Sequence, residues 1–291
     1  MPENEAQHSN STPQRLRRKG IYVLPNLFTL SALFGGFYGI VMAINGRYDL
    51  ATLGIFAAMV LDSLDGRVAR MTGTQSAFGE QMDSLADMVS FGAAPALIAY
   101  QWALQPLGKA GWFAAFIYCA CAALRLARFN VNTAVVDKRY FQGLPSPAAA
   151  ALVAGFIWLS AAMVDVHREV PLFRQVIGAL GGTRVARGDF GWLTFGVTLF
   201  AGLTMVTNIP YYSFKDFGGR RSVPFVVLVL AALLIAVISI EPATMLFVLF
   251  VAYALSGYVV YVWRRAKGQH ASIVSTSTDE PDERGLHDES V

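Results

Sequence analysis

The chain has 291 residues, of which 55% are hydrophobic and only 15% charged, with a mean hydropathy of +0.46. That balance excludes an ordinary soluble domain and points to a polytopic membrane protein. A net charge of +3 is too mild to call for a nucleic-acid partner.

Residues 1–20 form a polar tail that ends on "RLRRKG", and they read as disordered and basic. About eight apolar runs follow, near 21–44, 49–70, 84–104, 110–130, 145–164, 189–208, 222–240 and 243–263. No small-residue cleavage site follows the first run, so it reads as a retained span and not a signal peptide. Cys119 and Cys121 share one run and read as packing residues, not as a disulfide or half of a metal site. Residues 265–291 end acidic and polar and read as a second disordered tail. The expected fold is all-α: a membrane domain over 21–264 with about eight transmembrane helices. With the N-terminus in the cytosol, 17 of the 23 Lys and Arg residues lie inside and 6 outside. The positive-inside rule then puts both termini in the cytosol. The loop 165–188 carries four arginines on the outer side and reads as an interfacial segment.

Residues 62–87, "DSLDGRVARMTGTQSAFGEQMDSLAD", hold four aspartates between apolar runs. Charges at a membrane edge are costly and are kept for function. Asp62 and Asp65 share one helix face, which Gly66 and Ala69 continue. Gly79, Asp83 and Asp87 form a second stripe at four-residue spacing. "MTGTQSAFG" breaks the helix between them. Two antiparallel helices would then bring four carboxylates together, and their mutual repulsion demands cations. An all-oxygen cage without His or Cys suits a hard divalent ion such as Mg²⁺, Mn²⁺ or Ca²⁺. A pair of such ions bridging phosphate oxygens serves phosphoryl transfer, with Arg70 as a phosphate clamp. A polar loop carrying ordinary surface acids would show scattered Glu and Lys instead.

The pattern Asp62-x2-Asp65-Gly66-x2-Ala69-Arg70-x8-Gly79-x3-Asp83-x3-Asp87 resembles the full signature of the CDP-alcohol phosphotransferase family. The resemblance implies a dimeric integral membrane enzyme with a six-helix core and two divalent metals per site, which transfers a phosphoryl-linked group from a CDP-alcohol to a hydroxyl and releases CMP. By position, Asp62, Asp65 and Asp83 resemble the metal ligands. Asp87 resembles the fourth acid near the metals and the general base. Gly66, Ala69, Arg70 and Gly79 resemble the CDP-diacylglycerol contacts, and Ser76 matches a position that touches the phosphates. "PNLFT" resembles the family's upstream motif, in which Asn26 and Thr29 line the nucleotide pocket. Capping the first span is their alternative role.

The stretches "DMVSFGAAPA", "LRLARFN", "GLPSPAAA" and "NIPYYSFK" resemble the membrane-embedded phosphatidylserine synthases of that family, which implies L-serine as the acceptor. The serine carboxylate would need cations beside the acids. Arg125, Arg128 and Lys215 are the candidates, with simple snorkelling to the headgroups as the alternative. Glycerol 3-phosphate or inositol phosphate on the same fold is a second reading of the acceptor. A divalent-cation transporter is a third reading of the acids. It fits less well, because transporters hold carboxylates near mid-membrane and commonly show internal repeats. The four histidines lie in tails or on the outer side in this topology, which speaks against a phospho-histidine route. The expected location is the inner membrane of a bacterium, with the site facing the cytosol.

Overall fold

The computed structural model describes residues 12–74, 76–131, 140–164, 187–212 and 225–267. Among the described residues the architecture is all-α, with one small two-stranded ribbon. In chain order the helices are α1 (Thr12–Ile44), α2 (Tyr48–Thr72), α3 (Ala77–Asp87), α4 (Ala94–Ala99), α5 (Lys109–Val131), α6 (Ser146–Val164), α7 (Gly191–Val206), α8 (Phe225–Ile240) and α9 (Pro242–Ala266). The strands β1 (Tyr140–Gln142) and β2 (Pro210–Tyr212) pair antiparallel, with Phe141 opposite Tyr211.

The first helix starts at Thr12, not near residue 21. Residues 12–20, expected in the disordered tail, continue it beyond the apolar run. The third apolar run is also not one regular helix. It begins at Ala77 and passes through π-helical turns at Met88–Ala93 and Tyr100–Leu104. Pro95 explains part of this, because it has no N–H to donate to the Phe91 carbonyl one turn back. That carbonyl accepts from the Tyr118 hydroxyl instead, at 3.0 Å.

Among the described residues, five helical segments are long and apolar enough to cross a membrane: Asn26–Ile44, Lys109–Val131, Ser146–Val164, Arg187–Val206 and Pro242–Ala266. The other three expected spans are α2, which carries the acidic stripe at its end, the broken run from Ala77, and α8 with 16 residues. Exposed Leu124, Leu203, Leu233 and Val259 make the outer surface apolar, as a lipid-facing surface must be.

Small residues set the helix spacing. Gly35 and Gly39 of α1 meet Gly54 and Ala51 of α2 so closely that an added Cβ would lie 2.7–3.0 Å from backbone oxygens. This glycine pair therefore serves packing within the chain. The alanine-rich α6 is the most buried of the candidate spans and packs against α2, α7 and α9. Away from the acids, Arg187 lies 4.9 Å from the Tyr48 ring and 5.0 Å from the Trp102 ring, and donates to the carbonyls of Gln101 and Trp102. One of the arginines counted as outer is thus held by aromatic faces and helix carbonyls.

Candidate active site

Local chemistry makes the turn that joins the two acidic stripes. Gly73 takes the left-handed conformation (φ +61°) that ends α2, and its N–H donates to the Ala69 carbonyl. Ser76 is extended and starts α3, its hydroxyl accepting from the Gly79 N–H at 3.0 Å. An added Cβ at Gly79 would lie 3.2 Å from that hydroxyl and 3.5 Å from Asn26 Oδ1, so glycine keeps this corner tight. The hairpin brings both stripes to one place.

Carboxylate oxygens of Asp62, Asp83 and Asp87 lie within 4.8 Å of one another. Carboxylates this close repel one another, and the group tolerates that only with a proton or a cation among them. Asp83 Oδ1 is buried and has no hydrogen-bond partner. Asp65 is buried against α1, where its Oδ2 accepts from the Thr29 hydroxyl at 2.8 Å. It still faces Asp62 and Asp83 electrostatically. The sequence reading put all four aspartates at the metal site, with Asp87 also the general base; the tight trio here is Asp62, Asp83 and Asp87, and Asp65 stands slightly apart. The orphaned Asp83 oxygen and the all-oxygen donor set fit a hard divalent cation.

Beside the acids opens a pocket of about 200 Å³. All seven residues expected to contact CDP-diacylglycerol line it: Asn26, Thr29, Gly66, Ala69, Arg70, Ser76 and Gly79. Asp65 and Asp83 form its acidic wall, with Arg70 and the N-terminus of α3 also on its lining. A helix N-terminus and a guanidinium both favour phosphate. Asn26 and Thr29 lie well inside α1, 14 and 17 residues after its start, so neither caps it.

The other face of the cluster is arginine. Arg125 is 8% exposed, and its Nη1 donates to Ser146 Oγ at 2.8 Å. It faces Asp87 electrostatically, with Tyr118 and Tyr253 also beside it. Arg128, three residues on, does not join it. Its Nη1 donates to the Val206 carbonyl and Asn208 Oδ1, both at 3.2 Å. Its Nη2 reaches the carbonyls of Gln142, Met205 and Thr207 at 3.4 Å. Of the two arginines expected at the acceptor, Arg125 lies near Asp87, whereas Arg128 directs its donors to carbonyls and Asn208. The carbonyls at the end of α7 lack helical partners and attract its protons. Lys215 lies outside the described residues.

The family model described as CDP-alcohol phosphatidyltransferase matches residues 22–186, more than half of the chain. The chain belongs to this family. A CDP-diacylglycerol–serine O-phosphatidyltransferase of Helicobacter pylori strain J99 is 33% identical over 247 residues, covering 85% of this chain and 94% of that one. The protein of the same name from Saccharomyces cerevisiae is 41% identical over 141 residues, 43% of this chain and 50% of the relative. The one from Methanocaldococcus jannaschii is 47% identical over 105 residues, 36% of this chain and 49% of the relative.

The family match reaches from α1 past the end of α6, so α7, β2 and α9 lie beyond it. They hold groups that the sequence did not single out. Tyr211 is fully buried and donates to the Ala254 carbonyl of α9 at 2.8 Å. Tyr253 donates to the Tyr212 carbonyl at 3.3 Å. Thr74 and Glu80 also line the pocket beside the acids. Ser146 lies in the family-like stretch "GLPSPAAA", but no local pattern pairs it with Arg125, which is 21 residues away.

Proposed function

We propose that this protein is an integral membrane enzyme that transfers the phosphatidyl group of CDP-diacylglycerol to the hydroxyl of L-serine, releasing CMP. The supporting observation is the place of Asp87: it belongs to the acid trio with Asp62 and Asp83, and the buried Arg125 lies within electrostatic reach of it. A base there has the phosphate side and a carboxylate-binding cation as neighbours. Asp87 takes the proton of the serine hydroxyl. The serine oxygen then bonds to the phosphorus that bears diacylglycerol, and the bond from that phosphorus to the CMP oxygen breaks. Arg70 and the start of α3 hold the pyrophosphate, and Arg125 holds the serine carboxylate. Asp62, Asp65, Asp83 and Asp87 would hold two divalent ions, Mg²⁺ or Mn²⁺, whose positive charge would offset that of the phosphates.

A phosphorylated acceptor is less well supported, because it needs more cations and Arg128 is committed to backbone carbonyls. The topological reading is a membrane domain over 21–264 with eight crossings, cytosolic termini and a cytosol-facing site in a bacterial inner membrane. The charge bias of the loops supports it. A homodimer follows from family resemblance.

The test follows CMP release by purified protein with CDP-diacylglycerol, Mn²⁺ or Mg²⁺ and, in turn, serine, glycerol 3-phosphate and inositol phosphate. Serine alone is expected to drive release, and serine-independent release would remove this acceptor. Asp87→Asn is expected to bind CDP-diacylglycerol with unchanged affinity and to lose about a thousandfold or more in kcat. Near-normal turnover in that variant excludes Asp87 as the base.

A further inference from the structure

Arg125 and Arg128 sit one turn apart on α5, yet they grip opposite ends of one short segment. Arg128 donates to the carbonyl of Gln142, and Arg125 donates to the hydroxyl of Ser146. Between them the segment is fastened to the end of α7. The Gly143 N–H donates to the Ile209 carbonyl at 2.9 Å, and the Leu144 N–H to the Thr204 carbonyl at 3.1 Å. Gly143 has φ +75°, and any Cβ there would collide with the Met205 carbonyl. That same carbonyl accepts from Arg128. Asn208 Oδ1 accepts from Arg128 at 3.2 Å and from Gln142 Nε2 at 2.6 Å, closing the arrangement.

Such a set of contacts does more than cap a helix. A guanidinium offers donors in a fixed planar fork, so it fixes direction as well as distance. Here it ties the end of α7, the end of β1 and α5 to one point. Ser146 follows four residues after Gln142 as the first residue of α6, and its hydroxyl is a direct hydrogen-bond partner of the buried Arg125. Any shift of the 142–146 segment therefore moves that partner. An arginine facing Asp87 from a changed angle would still carry its charge, but it would present its donors in the wrong place.

We infer that Arg128 is a positioning residue for the acceptor: through the 142–146 segment it sets Ser146, and through Ser146 it sets the orientation of Arg125. The inference rests on the proposed role of Arg125 toward the serine carboxylate. Arg128 itself makes no contact with the acceptor.

The test measures steady-state constants of the full-length protein for serine and for CDP-diacylglycerol in four variants. Arg128→Gln is expected to raise the serine KM about tenfold while the CDP-diacylglycerol KM stays within about twofold. Gly143→Ala leaves Arg128 intact but pushes the segment off α7, and is expected to give the same split. Asn208→Ala removes one shared acceptor and is expected to give it at about threefold. It carries the test if Gly143→Ala does not fold. An unchanged serine KM in both Arg128→Gln and Asn208→Ala overturns the inference. So does a shift in Arg128→Gln that neither of the other two shares, since Arg128 would then be a direct contact. Equal changes in both KM values also overturn it, because they mark a general loss of structure. Arg125→Ala separates this inference from its foundation. An unchanged serine KM there removes Arg125 as the acceptor cation. A raised serine KM there, with none in the other three, removes only the positioning role.

Discussion

The proposed nucleotide side of the site and the proposed acceptor side are built in opposite ways. The nucleotide side comes from residues 62–87 with two side chains of α1, and helical spacing alone aligns its groups. The acceptor side gathers α5, the ribbon, α6, α7 and α9, joined by hydrogen bonds between residues as much as 80 positions apart. One side is a short hairpin whose chemistry resides in side chains. The other is a framework of carbonyls and tyrosines around one buried arginine. A common donor thus meets a local, compact motif, whereas the choice of acceptor depends on how distant segments pack. The family match covers the first side whole and the second only in part.

The largest effect that sharpens this contrast belongs to the acids. Asp83→Asn is expected to lower CMP release about a thousandfold or more, because the orphaned carboxylate oxygen loses its charge. Mn²⁺ binding measured by electron paramagnetic resonance should weaken with it, and chelation should abolish activity reversibly. Retention of more than a tenth of normal activity would break the idea of a metal-dependent nucleotide side.

A smaller and one-sided effect is expected at Gly257. The Tyr211 ring lies 2.5 Å from where a Cβ would stand, so Gly257→Ala must push β2 away from α9. The serine KM is expected to rise about fivefold, with the CDP-diacylglycerol KM unchanged and the melting temperature a few degrees lower. Equal changes in both KM values would erase the distinction between the two sides.

The smallest effect lies on the nucleotide side. Ser76→Ala removes the cap of α3, a loss of about 1 kcal/mol. The CDP-diacylglycerol KM should rise a few-fold and the serine KM should not. A change confined to serine would reverse the assignment of the two sides.

Much of the nucleotide side was legible because short-range geometry dictates it. Three- and four-residue spacings fix which aspartates share a face, and a glycine-serine turn fixes where the helices part. Every residue expected around the nucleotide does line one pocket. The roles of Asn26 and Thr29 depended on where α1 begins, which apolarity marks poorly, since a helix continues past the hydrocarbon edge. The two arginines were less legible still. Their spacing of three promised a common face, but long flexible side chains go where acceptors are, and the free carbonyls of α7 drew Arg128 aside.

The sequence by itself determined an all-α membrane protein, its acidic hairpin and the kind of cation that hairpin suits, because hydropathy, helical period and charge repulsion act over a few residues. Only the tertiary structure decided which glycines pack within the chain, that Asp65 leans on Thr29, and that Arg125 faces Asp87 while Arg128 holds the frame. These outcomes depend on where helix ends and carbonyls from distant segments meet, and no local rule encodes those positions.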